Sequence, residues 1–298
     1  AEVLRDLYDG RRCVRDLPDL VPDGQLAIHR ARAAAVARLG HLLEDDAAGA
    51  TWEGTPALRA QGEALLEPPP RVGLTGLAAT LRPYQERGLS WLQQLRGLGL
   101  GGVLADDMGL GKTLQAIAHL LVEKEAGRAD RPSLVVAPTS LTGNWARELA
   151  RFAPSLRVVV YRGPRRRQRA AELRGADVVV TTYPVLLRDE ATLAAQPWHC
   201  LVLDEAQTVK NPRSLARRAV EHLDAGHRIC LTGTPLENNL GELWSLFDLL
   251  VPGLLGRADA FRTRFRHPIE VEGNPERLEQ LRQRVAPFIL RRLKDQVA

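Results

Sequence analysis

The chain is poor in several residue types, and each scarcity removes a class of explanation. Aromatic residues make up only 5% of the sequence and form no recurrent array, which argues against a surface built to stack splayed single-stranded bases. The three cysteines, Cys13, Cys200 and Cys230, stand far apart. Their spacing fits neither a disulfide framework nor a zinc site, and a reducing, intracellular setting is expected. The seven histidines are isolated, without a metal-ligand spacing such as H-E-x-x-H. No apolar run approaches the ~18 residues that a membrane-crossing helix requires, so no membrane partner is expected. The N-terminal AEVLRDLYDG is acidic and lacks a signal-peptide core. Methionine occurs once, at Met108, and not at position 1, so the chain is expected to be processed or part of a longer protein.

What is present is an ordinary globular composition, 45% hydrophobic and 26% charged. A length of 298 residues suits about two domains at roughly 150 residues each. Charge is unevenly spread: residues 1–70 hold 8 basic against 12 acidic side chains, and the remainder 33 against 24. A basic block behind an acidic leader points to a polyanionic partner. Within the leader, Ile28, Val36, Leu39 and Leu43 fall at roughly helical spacing. EPPPRVG (67–73) then interrupts any helix, because proline lacks the N–H and clashes with the preceding turn. We read 1–70 as a mainly helical accessory segment ending in a linker, and 71–298 as the second unit.

From Gly101 onward the pattern changes. GGVLA, SLVVAP, RVVVY, ADVVVTT, CLVLDE and RICLTGT are short, continuous apolar runs, as expected for parallel strands buried on both faces. Between them lie helical repeats: Leu114, Ile117, Ala118 and Leu121 follow i, i+3, i+4, i+7. This alternation predicts an α/β fold, a parallel sheet covered by helices. After LTGTPLENN no further strand is read, and 239–298 is expected to be a helical extension.

Two stretches carry chemistry. DDMGLGKT (106–113) has Gly111, Lys112 and Thr113 in the last three places of the phosphate loop G-x-x-x-x-G-K-[ST], but Asp106 where the first glycine belongs. It sits between an apolar strand and an amphipathic helix, the context such a loop requires. Glycines let backbone N–H groups curl round phosphate oxygens, and the helix N-terminus adds partial positive charge. Lys112 can reach the β- and γ-phosphates, and the Thr113 hydroxyl can ligate Mg2+. CLVLDEAQ (200–207) is a second apolar strand, ending in two carboxylates. Asp204 is placed to hold Mg2+ and Glu205 to polarise an attacking water. Together the two stretches predict an ATP or GTP site.

The motifs DDMGLGKT, DEAQ and LTGTPLEN, in that order, resemble motifs I, II and III of superfamily-two helicase-like motors. The acidic residue in the glycine's place resembles the Snf (sucrose non-fermenting) branch. LRPYQERGLSWL (81–92), VVAPTSLTGNW (135–145) and VVVTTYPVLL (178–187) resemble the motif before the phosphate loop and motifs Ia and Ib. ELWSLFDLLVPGLLG (242–256) and APFILRRLKDQV (286–297) resemble stretches that close the first motor lobe. The resemblance covers about 74–298 and implies a RecA-like lobe using ATP and Mg2+.

It also implies roles. Gln85 would read adenine, and Asp107, Met108, Gly109, Leu110, Gly111, Lys112 and Thr113 would cradle the phosphates. Thr139, Ser140, Thr181 and Thr182 would contact the DNA backbone, which fixes register without reading sequence. Thr232 and Thr234 would couple the nucleotide site to the DNA track. Gln207 stands where many relatives carry histidine, and either can hydrogen-bond across to motif III. The run YRGPRRRQR (161–169) carries five arginines and is read as a solvated face. The expectation is the first lobe of a double-stranded-DNA translocase, cytoplasmic and nucleoid-associated if prokaryotic, with a second RecA-like lobe as partner. A strand-separating DNA or RNA helicase and a nucleotide-gated scaffold without turnover are the alternatives.

Overall fold

The computed structural model describes residues 60, 63–65, 67–211, 214–233 and 240–297. Almost all of the expected accessory segment 1–70 lies outside the described residues, as does Thr234. The expected Pro-rich linker carries neither helix nor strand from 67 to 76.

Seven strands form one parallel sheet: β1 (Gly102–Leu104), β2 (Ser133–Ala137), β3 (Val158–Val160), β4 (Val178–Thr182), β5 (Trp198–Asp204), β6 (Ala225–Leu231) and β7 (Ile289–Leu290). Their order across the sheet is β3-β4-β2-β5-β6-β1-β7. The first six coincide with the six apolar runs. Every residue of β2, β4 and β5 is buried, which is why their sequences are continuously apolar rather than alternating. The expectation that strands stop after β6 is corrected. Ile289 and Leu290 add an edge strand, pairing in parallel with Val103 and Leu104. Two residues that follow a helical stretch carry no periodicity from which a strand could be read.

The order of strands positions everything that follows. β6 lies between β1 and β5, with Leu231 opposite both Leu104 and Asp204. The loops after β1, β5 and β6 therefore emerge side by side at the C-terminal edge of the sheet, where α/β folds bind their ligands.

Helices cover both faces. α1 (Pro83–Gly97) begins with proline at its first turn, where the missing N–H costs nothing. α2 (Lys112–Glu125) follows the phosphate loop, α3 (Thr142–Phe152) follows β2, and α4 (Tyr183–Arg188) follows β4. α5 (Glu190–Ala194) and α6 (Leu215–Glu221) flank β5, and α7 (Leu240–Leu250) follows β6. α8 (Ala258–Phe261), α9 (His267–Glu270) and α10 (Pro275–Val285) complete the C-terminal part. Phe247, Phe261, Phe265, Leu281, Val285 and Phe288 pack into the same core as the sheet. Each such side chain contributes roughly 1.5–3 kcal/mol of burial, and Phe247 meets Phe288 edge-to-face at 6.4 Å. The Trp91 indole donates to the Pro287 carbonyl at 2.9 Å, tying α1 to the segment that leads into β7.

The isolation of the histidines holds in sequence but not in space. His119 on α2, Cys200 on β5 and His227 on β6 bring one nitrogen or sulfur each to within 4.8 Å of one another, all buried. Their hydrogen bonds are ordered only in part, because His227 Nε2 is buried without a hydrogen-bond partner among the described residues. Arg128 Nη2 donates to Gln93 Oε1 at 2.7 Å, so Gln93 turns its amide NH2 toward His119 Nδ1 at 2.9 Å. With Nδ1 accepting, neutral His119 carries its proton on Nε2 and gives it to His227 Nδ1 at 3.3 Å. The lone pair that a metal would need on His119 Nε2 is absent in that tautomer. Beside them Glu123 is fully buried and meets Arg96, Arg128 and His199 at 2.6–2.8 Å. Burial pushes its carboxyl up, but the bonds from His199 and Arg128 outweigh that and hold it below the usual range.

Burial pushes His119 down from 6.5 to about 4, with Glu123 opposing and His199, Arg96 and Arg128 adding to the shift. A folded-state value below the unfolded one means that stability is full above pH 6.5 and is lost as the pH falls toward 4, because the unfolded chain takes up the proton first. The loss is on the order of 3 kcal/mol for a shift from 6.5 to about 4. Calorimetric thermal midpoints should therefore fall between pH 7 and 4.5, and His119→Gln should flatten that fall. Equal slopes in both proteins would show that His119 does not titrate as described.

Candidate nucleotide site

The phosphate loop is the turn between β1 and α2. Gly109 and Gly111 have φ of 87° and 73°, the left-handed region that favours glycine. Gly111 is doubly required, because a Cβ there would lie 2.4 Å from Gln85 Nε2. Met108 is exposed and Asp107 half-buried on the turn. Lys112 Nζ donates to the carbonyls of Asp106 at 2.6 Å and Asp107 at 3.1 Å. Burial lowers its pKa, while Asp106, Glu205, Asp204 and Asp107 pull it back up. The ammonium thus rests on weak neutral acceptors that phosphate oxygens would outcompete. Thr113 is half-buried in the first turn of α2, next to it.

Gln85 is buried on α1. Its Oε1 accepts from Arg82 N at 2.9 Å and its Nε2 donates to Leu110 O at 3.2 Å. Tyr84 Oη donates to the same carbonyl at 3.2 Å. Whatever else Gln85 does, it braces the loop. Asp106, in the missing glycine's place, is fully buried, and its carboxylate pairs with Arg292.

The second element ends β5. Asp204 is buried, and its Oδ2 accepts from Trp145 Nε1 at 2.8 Å while Oδ1 accepts from Glu205 N at 3.0 Å. Burial raises its pKa against the pull of the Trp145 bond, so the carboxylate is short of compensating positive charge. Tyr183 Oη donates to the Asp204 carbonyl at 2.8 Å. Glu205 has φ 49°, the one positive value outside glycine among the described residues, a strain of about 1–3 kcal/mol. Gln207 Nε2 donates to Glu205 Oε2 at 2.6 Å, and Thr232 Oγ1 donates to Gln207 Oε1 at 3.4 Å. Thr232 N in turn donates to Leu104 O at 3.1 Å. A chain of contacts thus runs from Glu205 to the strand that carries the phosphate loop. Gly233 lies against that loop too: a Cβ there would sit 2.9 Å from Met108 Cγ and 3.7 Å from Lys112 Nζ.

The four hydroxyl residues expected at a DNA backbone divide. Thr139 and Ser140 are exposed in the loop after β2. Arg162 Nη1 reaches the Thr139 carbonyl at 3.4 Å and also contacts the Thr142 hydroxyl. Thr181 and Thr182 are buried, with their hydroxyls bonded within the protein. Thr181 Oγ1 donates to Tyr161 O at 2.9 Å. Thr182 Oγ1 accepts from Val185 N at 3.2 Å and caps α4, the use to which a threonine before a helix is commonly put. Neither hydroxyl faces outward. The arginine run is only partly a solvated face. Arg166 and Arg167 both bind the buried Asp189, and Arg169 pairs with Glu172.

Sequence reasoning passed over Asp106 as a site residue, and Trp145, Tyr183 and Arg292 altogether. Trp145 and Tyr183 stand inside quoted motifs, but their donor groups point at a residue tens of positions away. Only the fold makes those contacts visible.

A fully parallel sheet, a phosphate loop whose lysine lies next to a buried aspartate and a strained glutamate, and a linking threonine strand define the class. This is one RecA-like lobe that carries a phosphate loop. The SNF2-related domain matches residues 84–298, and the chain belongs to that family. YwqA of Bacillus subtilis is 49% identical over 218 residues, 72% of this chain and 24% of YwqA. The TATA-binding protein-associated factor MOT1 of Saccharomyces cerevisiae is 42% identical over 74% of this chain and 13% of its own length. The Sulfolobus solfataricus SWI2/SNF2 ATPase core in complex with dsDNA superposes with a TM-score of 0.71 at 42% identity, covering 77% of this chain and 49% of that one. The chain therefore spans about a quarter of YwqA and less of MOT1. Among the described residues no helix is long and apolar enough to cross a membrane.

Trp145→Phe removes the donor that Asp204 Oδ2 receives and leaves a buried acceptor unmet. Urea unfolding at pH 7 should show a loss of about 1–3 kcal/mol. An unchanged midpoint would mean that water replaces the indole and that Trp145 does not hold the carboxylate.

Proposed function

We propose that this chain is the N-terminal motor lobe of an ATP-dependent double-stranded-DNA translocase that remodels protein–DNA contacts. The observation that carries the reading is the convergence of Lys112, Asp204 and Glu205 at one sheet edge, through the β1–β6–β5 neighbourhood. ATP is the substrate, with Lys112 and the loop from Met108 to Gly111 on its phosphates, and with Asp107, whose own N–H is given to the Arg292 carbonyl, at the loop's edge. Gln85, already against the loop, takes the base edge. Thr113 and Asp204 suit Mg2+, because a buried carboxylate whose charged form burial disfavours gains most from a hard cation. That ion, when bound, neutralises charge on the phosphates. Glu205 polarises the water, and its strained backbone aims the carboxylate. Gln207 and Thr232 pass changes at Glu205 to β1, and Thr234, two positions on in the sequence, is assigned the same coupling role.

Thr139 and Ser140, exposed beside Arg162, supply contacts to phosphates of duplex DNA. The solved relative with dsDNA bound supports this partner. The chain covers 49% of that solved core, and we place the charge-stabilising arginines in a second lobe. A supplied arginine is worth ~10³–10⁵ in rate in phosphoryl-transfer enzymes, so residues 1–298 alone should hydrolyse ATP barely above background.

Two outcomes check the roles. By titration calorimetry, Lys112→Ala should abolish ATP binding, since it removes a charge-assisted contact, whereas Glu205→Gln should leave affinity nearly intact. Equal loss in both would overturn the assignment. Duplex binding should weaken steeply with salt through counterion release, and Thr139→Ala with Ser140→Ala should weaken all duplex sequences alike. A sequence preference that persists at high salt would mean that bases are read, which contradicts a translocase.

A further inference from the structure

Asp106 and Arg292 are 186 positions apart, and they meet in the most heavily bonded ion pair near the site. Arg292 Nε donates to Asp106 Oδ1 at 2.8 Å and Nη2 donates to Oδ2, a two-pronged pairing. The Arg292 backbone N–H adds a third bond to Oδ1 at 3.1 Å. Gln115 closes the ring, accepting from Arg292 Nη2 at 2.8 Å and donating to Asp106 Oδ2 at 3.2 Å. Arg292 Nη1 donates to the Tyr84 carbonyl, and the guanidinium lies 5.1 Å from the Tyr84 ring. One side chain thus joins α1, α2, the phosphate loop and the segment after β7.

The backbone repeats the link. Asp107 N donates to Arg292 O at 3.0 Å, and Lys294 N donates to Asp107 Oδ2 at 3.2 Å. Asp106 is also one of the two carbonyls on which Lys112 rests. An aspartate at this position poses a problem for an anion site, since a free carboxylate would repel phosphate. Turned into the core and neutralised by a fork of donors, it becomes an anchor. The anchor replaces the conformational freedom that glycine would supply at the loop's first position with a fixed geometry.

We propose that Arg292 is a positioning residue for ATP binding. Through Asp106 it holds the peptide that carries Lys112, and it links the loop's conformation to the 289–294 segment. This rests on the nucleotide-site reading above. Loss of the pair should weaken ATP binding even where the fold is intact.

The test compares Arg292→Lys, Arg292→Met and the double variant Asp106→Asn with Arg292→Met in the full chain. Thermal midpoints and ATP–Mg2+ affinity by titration calorimetry are measured well below the midpoints. Arg292→Met leaves a buried carboxylate unpaired and should lower the midpoint, whereas the double variant removes both charges and should recover much of it. If Arg292 positions the loop, ATP affinity stays at least fivefold weaker in the double variant and in Arg292→Lys, although stability returns. Affinity that recovers to within fivefold in both overturns the inference, because the pair then serves the fold alone. Should Arg292→Met fail to fold, the other two variants decide the question. Absence of ATP binding by the unsubstituted chain would instead overturn the nucleotide-site reading itself.

Discussion

The site depends on the insertion of β6 between β1 and β5. Hydrogen bonding fixes Leu231 opposite Leu104 on one side and Asp204 on the other. A slip of one residue would turn every side chain of β6 to the other face. It would also carry Thr232 out of reach of Gln207 and Leu104. The phosphate loop, the acidic pair and the linking threonine belong to three different stretches of sequence. They form one site because three parallel strands end at the same level.

Four carboxylates are buried among the described residues, and three of them are treated in contrasting ways. Glu123 is surrounded by donors and held charged. Asp106 is locked to Arg292 and Gln115. Asp204 receives two donors and is left short of positive charge, so its pKa rises. Breaking a buried ion pair costs about 3–5 kcal/mol, which makes the first two fixtures of the fold. The third is the one whose environment a cation would complete. That division separates what must stay still from what can answer to ligand.

Much of this was readable in the sequence, for physical reasons that differ by element. Six strands announce themselves because burial on both faces demands unbroken apolar runs, and the loop glycines do so because φ near +70° to +90° excludes most other residues. Ile289 and Leu290 do not, being too short to carry a period. Asp106 looked like a blemish in a motif, since its partner is far away in the chain. Thr181 and Thr182 matched a motif, yet their hydroxyls are spent on Tyr161 and on capping α4. Histidines scattered in sequence gather in space because α2, β5 and β6 adjoin. Local chemistry was visible, and contacts across the fold were not.

The proposed function has this lobe hydrolyse ATP in response to duplex DNA when a companion lobe is present. Steady-state ATPase rates of the natural full-length protein, with duplex DNA, single-stranded DNA, RNA or no polymer, test it most directly. Strong stimulation by duplex DNA, exceeding that by either single strand or RNA, is the predicted result. Turnover that is indifferent to nucleic acid, or stimulated only by RNA, would contradict it.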